Sequence, residues 1–296
     1  MNVYTIVLPT YNDWKSLSIL LNKIEKNLKS TNKVFKVLII NDSSSETNNY
    51  KLNKNKFFKE IKVINLRKNV GSQKAIATGL KYISKYKIKK KEDGFIIMDS
   101  DGEDDPKKII EIIKLINKNQ NTKIITMNRT IRKESFFFSI LYEVHLLITF
   151  FITLKYIRFG NFSFLNKKII DTITKKKELW FAYSATLKKY FDTKSYISAP
   201  RKKRISGKSK MSYSALISHS LNIQFVYIRN IFVSYIIYTT LFIFLYTLSL
   251  FKSIVILSLL LLVTHFLIII SCVKKEINGI SFNLCLKNIE SIKKIN

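Results

Sequence analysis

The sequence predicts an α/β protein: a mainly parallel sheet covered by helices on both faces, followed by interfacial helices and a two-helix transmembrane hairpin. Three observations lead there. Residues 1–130 alternate short apolar runs with amphipathic helical patterns, and residues 231–251 and 253–273 contain no Asp, Glu, Lys or Arg. The 296-residue chain also carries 51 Lys+Arg against 20 Asp+Glu, a formal net charge of +31. A hydrophobic content of 47% excludes a disordered polar chain, and 7 Gly with 3 Pro exclude collagen-like and Pro-rich classes. Cys272 and Cys285 are too few for a disulfide framework or a four-cysteine zinc site, and suit a reduced, cytoplasm-facing setting. The positive charge is spread along the chain as Lys, without a DNA- or RNA-binding motif, and suits an anionic membrane surface rather than nucleic acid.

Taken in order, residues 4–8, 34–41, 61–66, 94–99 and 123–127 read as buried strands. The first intervening helix places Leu17, Leu20, Leu21, Ile24 and Leu28 on one face. The second does so with Ile76, Leu80 and Ile83, the third with Ile109, Ile112, Ile113 and Ile116. Ligands of such sheets sit at the carboxyl ends of the strands. The loops after Leu8, Ile40, Leu66, Asp99 and Met127 are therefore the candidates for chemistry.

Residues 136–154 are apolar, yet Ser139, Tyr142, Glu143, Thr149 and Thr153 form a narrow polar stripe. A third transmembrane span would put Glu143 in hydrocarbon and separate the downstream chain from Asp99. We expect an interfacial helix. A second one, over residues 212–230, leads into the hairpin. Residues 231–251 and 253–273 each exceed the roughly 20 residues that span a bilayer as helix. Lys208, Lys210 and Arg229 precede them, Lys274 and Lys275 follow, and Lys252 marks the turn. This pattern puts both ends in the cytoplasm and the turn outside. The expected organisation is a catalytic domain over residues 1–211, the juxtamembrane helix over 212–230, two spans within 231–273, and a basic tail over 274–296. Strand-like sequence from Val3 leaves no pattern of a signal peptide.

The most informative stretch runs Met98-Asp99-Ser100-Asp101-Gly102-Glu103-Asp104-Asp105-Pro106. An apolar strand delivers carboxylates, one residue apart, into a strand-end loop, and Pro106 is placed to start the next helix. Hard oxygen donors at this spacing suit Mg²⁺ or Mn²⁺, with substrate phosphates completing the shell. Other segments stand at the remaining strand ends: Val7-Leu8-Pro9-Thr10-Tyr11-Asn12, Ile39-Ile40-Asn41-Asp42-Ser43-Ser44-Ser45, and Leu66-Arg67-Lys68-Asn69-Val70-Gly71. Two basic clusters follow, Asn128-Arg129-Thr130-Ile131-Arg132 and Arg204-Ile205-Ser206-Gly207-Lys208-Ser209-Lys210. Arg grips phosphate with two parallel bonds, Lys as a point charge.

In this order the segments resemble the family 2 glycosyltransferases of GT-A fold, in their polyprenyl-phosphate (dolichol- or undecaprenyl-phosphate) sugar transferase branch. The likeness runs along most of residues 1–230. It implies nucleotide-sugar contacts at Pro9, Thr10, Tyr11, Asn12, Asp42, Asn69 and Gly71, together with Asp99 and Asp101. It implies a divalent metal, Mg²⁺ or Mn²⁺, at Asp99, Asp101 and Glu103. Catalytic roles would fall to Asp99, Asp101, Arg129 and Arg204, and phosphate or acceptor contacts to Arg129, Arg132, Asn161, Arg204, Ser209 and Lys210. Asn161, in Gly160-Asn161-Phe162-Ser163, stands where relatives carry an Asp, and Asn41 where they carry the first Asp of the strand-two turn. Asn cannot act as a base, although a phosphate acceptor is already an anion.

The implied activity is an inverting, metal-dependent transfer of sugar from a nucleotide-sugar donor to a polyprenyl phosphate lipid, at the cytoplasmic face of the inner membrane, for cell-envelope glycan synthesis. The rivals are a transferase with another membrane acceptor, such as diacylglycerol or a lipid-linked glycan, and a non-catalytic membrane scaffold on the same fold. A homo-oligomer is compatible with either. His145, His219 and His265 lie in apolar or interfacial segments and read as structural.

Overall fold

The computed structural model describes residues 2–45, 56–86, 94–129, 136–155, 159–191, 195–207, 213–248, 252–277 and 281–295. Two compact units divide the chain. The first comprises residues 1–133, 158–210 and 282–296; the second comprises residues 134–157 and 211–281.

The first unit is built on an eight-stranded sheet. Strands β1 (Val3–Thr10), β2 (Val34–Asn41), β3 (Glu60–Leu66), β4 (Gly94–Ile97) and β5 (Ile124–Arg129) fall where the apolar runs predict them. Strands β6 (Phe159–Leu165), β7 (Tyr196–Ala199) and β8 (Ile289–Lys294) add to them, in the order β7-β5-β6-β4-β1-β2-β3-β8. β1 pairs in parallel with β2 and β4, β2 with β3, and β5 with β7. β6 lies antiparallel between β4 and β5, and β8 antiparallel on β3. The mainly parallel α/β class therefore holds, with antiparallel insertions that local pattern did not reveal.

Because side chains alternate across a strand, each face receives its own helices. Ile6, Leu8, Val37 and Ile39 pack with Leu17, Leu20 and Ile24 of α1 (Trp14–Leu28) and with Ile109 and Ile112 of α3 (Lys108–Lys118). Val7 and Ile40 face the opposite side, against α2 (Ser72–Tyr86). Gly79 makes that approach close: a Cβ there would stand 2.8 Å from Ile40. Helix α3 begins at Lys108, two residues beyond Pro106, after a turn in which Asp105 Oδ1 accepts the Lys107 N–H at 3.1 Å. The short helices α5 (Lys167–Ile173) and α6 (Tyr183–Tyr190) lie on the α2 side.

The second unit holds α4 (Phe136–Thr153), α7 (Tyr213–Val226), α8 (Ile228–Thr247) and α9 (Lys252–Ile277). Helices α8 and α9 are each long and apolar enough to cross a membrane and pack side by side through Phe232 against Phe266 and Tyr235 against His265 and Phe266. Tyr238 Oη donates to the Phe151 carbonyl at 2.7 Å, tying α8 to α4. Leu147, Ile148, Phe150 and Phe151 of α4 remain exposed.

Two boundaries differ from the sequence reading. Residues 136–153 group with the apolar helices rather than with the sheet. Residues 274–296, read as a basic tail, contain the end of α9, a 3-10 turn (Phe282–Asn288) and strand β8, which returns to the sheet. Ile289 and Ile292 are that strand's apolar residues among charges, so its sequence carries little strand signal.

Candidate active site

The register aligns the strand ends. Thr10 stands beside Asn41 and Asn41 beside Asn65, so the loops after β1, β2 and β3 open on one edge of the sheet, and β4 ends parallel to β1. Most of the residues expected to meet the donor lie here. Pro9 and Thr10 end β1, Thr10 is buried, and Tyr11 projects with 40% of its surface exposed. Asn12 adopts a left-handed backbone (φ 47°), its N–H donating to Ser44 Oγ at 2.9 Å and its Nδ2 to Ser45 Oγ at 3.1 Å.

Asp42 is 2% exposed. Its Oδ1 accepts the Val70 N–H and its Oδ2 the Gly71 N–H, each at 2.8 Å, while Asn69 Nδ2 donates to the Asp42 carbonyl at 3.3 Å. Burial pushes its carboxyl up, opposed by these backbone bonds and by Lys74. Asp42 thus fixes the Asn69–Gly71 loop against the end of β2, with Gly71 supplying a left-handed turn (φ +86°). Asn41 donates to Asn65 Oδ1 at 2.9 Å and accepts the Ser44 N–H at 3.1 Å. Asn65 donates in turn to Ser291 Oγ of β8 at 2.9 Å.

The acidic loop after β4 is held by a strap, residues 200–207, that follows β7. Lys202 N–H donates to the Glu103 carbonyl at 2.9 Å and Ile205 N–H to the Asp101 carbonyl at 3.0 Å. Side chains repeat the pairing: Arg201 with Glu103, and Lys202 Nζ with Asp105 Oδ2 at 2.7 Å. Gly102 (φ +78°) permits the fit, since a Cβ there would fall 2.2 Å from Ile205. Arg204 Nη1 donates to Asp101 Oδ2 at 3.2 Å, Nη2 pairs with Asp13, and Nε donates to the Ser206 carbonyl at 3.0 Å. Asp101 Oδ1 accepts the Glu103 N–H at 3.0 Å. Burial, then the neighbouring Asp99 and Glu103, push the Asp101 carboxyl up to about 7.

Asp99 N–H donates to Asp104 Oδ2 at 3.1 Å, and Asp99 Oδ1 accepts from Asn161 Nδ2 at 2.9 Å. Asn161 Oδ1 accepts from Gln73 Nε2 at 3.0 Å. The structure therefore brings together Asp99, Asp101, Glu103, Asn161 and Arg204. Arg129 ends β5 beside Ala199. Arg132, Ser209 and Lys210 lie outside the described residues. Sequence reading missed Asp13 and Gln73. Asp13 precedes α1 as an ordinary cap-type residue and Gln73 occupies a helix surface position, so only residues far along the chain reveal their place.

Among the described residues, no group of three His, Cys, Asp or Glu is arranged around one ion position. The donors nonetheless fit a hard divalent cation. Asp99, Asp101 and Glu103 offer carboxylate oxygens, and their crowding, which raises Asp101, is what a cation would relieve. Arg204 supplies the positive charge beside Asp101 here.

Among protein families, the model described as Glycosyl transferase family 2 matches residues 5–175. A Bacillus subtilis (strain 168) protein, the uncharacterized glycosyltransferase YkcC, is 22% identical over 236 residues, 74% of this chain and 66% of the relative. Among solved structures, S. aureus TarS 1-349 in complex with UDP-GlcNAc is similar with a TM-score of 0.40 and 16% identity, over 74% of this chain and 64% of that one. The Mycobacterium tuberculosis glucosyl-3-phosphoglycerate synthase in complex with Mn²⁺, UDP-Glc and phosphoglyceric acid is similar with a TM-score of 0.49 and 10% identity, over 78% and 80%. The chain spans just under two thirds of the length of YkcC and of TarS 1-349.

Proposed function

The chain belongs to glycosyl transferase family 2, and from that premise we propose that it moves a sugar from a nucleotide-sugar donor to a polyprenyl phosphate at a membrane surface. The observation that carries this reading is the convergence, at one sheet edge, of the Asp42-braced loop, the Asp99–Glu103 acids and Arg204. The first suits a nucleoside, the second a cation with a diphosphate, and the third a phosphate.

The acceptor oxygen attacks the anomeric carbon, the glycosidic bond to the donor phosphate breaks, and the bonding pair leaves with the nucleoside diphosphate. A divalent cation, when bound, neutralises charge developing on that leaving group. Asp99, Asp101 and Glu103 would hold it. Arg204, released from Asp101, would turn its guanidinium to phosphate. Asn161 withdraws no proton, and a phosphate acceptor needs none withdrawn.

Chain connectivity supports the membrane part. α4 lies between β5 and β6, and α7–α9 lie between β7 and β8, all strands of one sheet. A sheet domain on one side of a bilayer requires an even number of crossings in each interval. α8 and α9 meet that as a pair, and α4 meets it as an interfacial helix. A protease-accessible tag after Asn296 should be cut only in inverted vesicles; cleavage in intact cells would overturn this topology.

The activity is tested with membranes containing the protein, radiolabelled UDP- and GDP-sugars, and added undecaprenyl phosphate. Label should enter the lipid phase from at least one donor and fail to do so with Asp99→Asn. Transfer without added polyprenyl phosphate would favour a different membrane acceptor. No transfer from any donor would leave the scaffold reading standing.

A further inference from the structure

Three hydrogen bonds in series reach Asp99 from the far side of the sheet edge. The Tyr183 N–H, at the start of α6, donates to Gln73 Oε1 at 2.8 Å. Gln73 Nε2 donates to Asn161 Oδ1 at 3.0 Å, and Asn161 Nδ2 donates to Asp99 Oδ1 at 2.9 Å. The series has one direction. A backbone N–H only donates, so Gln73 must turn its oxygen to Tyr183 and its amide to Asn161. Asn161 must then turn its own amide to Asp99. The origin is rigid, because Tyr183 is fully buried and its hydroxyl lies 2.6 Å from Ser163 Oγ on β6.

We propose that Gln73 and Asn161 are positioning residues, a one-way relay that holds the Asp99 carboxylate in the orientation needed to receive a divalent cation with the donor diphosphate. The proposal rests on the role given to Asp99 above. It also accounts for Asn161. An Asp at that position would set an acceptor oxygen against Asp99, whereas the amide offers a donor to it. Asn161 and Gln73 thus form a matched pair, since the Gln73 amide has a definite acceptor only while Asn161 presents its oxygen.

The test uses full-chain protein in neutral detergent, titrated with Mn²⁺ alone and with free Mn²⁺ followed by electron paramagnetic resonance. Turnover and thermal unfolding are measured in parallel. Gln73→Leu and Asn161→Leu should each weaken Mn²⁺ binding by about tenfold, the lower range for lost outer-shell partners. The double variant should be no weaker than either single one, because both break the same series. The discriminating variant is Gln73→Glu. It keeps an oxygen for the Tyr183 N–H, so a mere tether between α2 and α6 predicts normal Mn²⁺ binding and an unchanged unfolding midpoint. The relay predicts an unchanged midpoint with Mn²⁺ binding weakened as in Gln73→Leu, because the new carboxylate draws the Asn161 amide away from Asp99. Wild-type affinity in both Gln73 variants would overturn the relay while leaving the Asp99 assignment intact. Absence of Mn²⁺ binding by the wild-type protein would overturn both.

Discussion

Asp42 after β2 and Asp101 after β4 flank the end of β1, and both carboxylates are largely buried, yet they are satisfied in different ways. Asp42 takes two backbone N–H groups from one loop. Asp101 takes one backbone N–H and a guanidinium from residue 204. A backbone donor cannot leave without unfolding its loop. A side-chain cation can be exchanged for another positive charge by rotating a few bonds. The β2–β3 rim is therefore held by backbone, and the acidic rim by a side chain that can rotate away.

Asp101→Asn tests the exchangeable rim most severely. Shape is kept and the carboxylate lost, so the fold should persist while turnover falls by at least about a hundredfold, as several kcal/mol of charge stabilisation disappear. Near-normal turnover at saturating donor and metal would remove Asp101 from the chemistry.

Arg204 comes next. Arg204→Lys keeps the charge but loses the fork that spans Asp13 and Asp101, and activity should fall about tenfold, with Arg204→Ala worse. In neutral detergent, Lys202→Ala and Lys203→Ala should cost little. Equal and fully recovered activities at all three positions in detergent, after losses in anionic membranes, would reduce the strap to a general attraction for anionic headgroups, which salt screens.

On the fixed rim, Asp42→Asn sets an amide against one of the two N–H donors. That should destabilise the protein by about 1–3 kcal/mol, the cost of a buried donor left without its acceptor. Thermal unfolding measures it, and the donor KM should rise with kcat largely kept. A loss confined to kcat would make the two rims more alike than their geometry suggests.

The smallest effect concerns pH. With its folded pKa raised to about 7 above an ordinary carboxylate value, Asp101 binds more protons folded than unfolded between those limits. Its contribution to metal-free stability is therefore full only below about 4, the ordinary Asp value, and is lost progressively as pH rises from there to about 7. Unfolding midpoints should decline across that window in wild type and less so in Asp101→Asn. An identical decline in both would locate the titration elsewhere.

What the sequence disclosed follows the range of the forces involved. β1–β5 and α1–α3 were legible because each carries its own apolar period. The Asp99–Asp101 loop was legible because a strand end presents it. β6, with Gly160 and Asn161 inside it, β7, with four residues, and β8, half charged, acquire strand character from their neighbours. The Gln73–Asn161 and Asp13–Arg204 pairs span 88 and 191 residues, a separation at which no local pattern survives.

Strand β8 bears on how the molecule is made. Its partner, β3, ends at Leu66, yet Ile289–Lys294 emerge from the ribosome only after both apolar helices have been synthesised. Throughout that interval β3 presents an open edge, the kind of surface on which nascent chains pair with the wrong neighbour. Sheet completion thus waits on synthesis of both apolar helices, and a chain cut short before β8 would keep its edge uncovered, visible to the chaperones and proteases that recognise unfinished proteins.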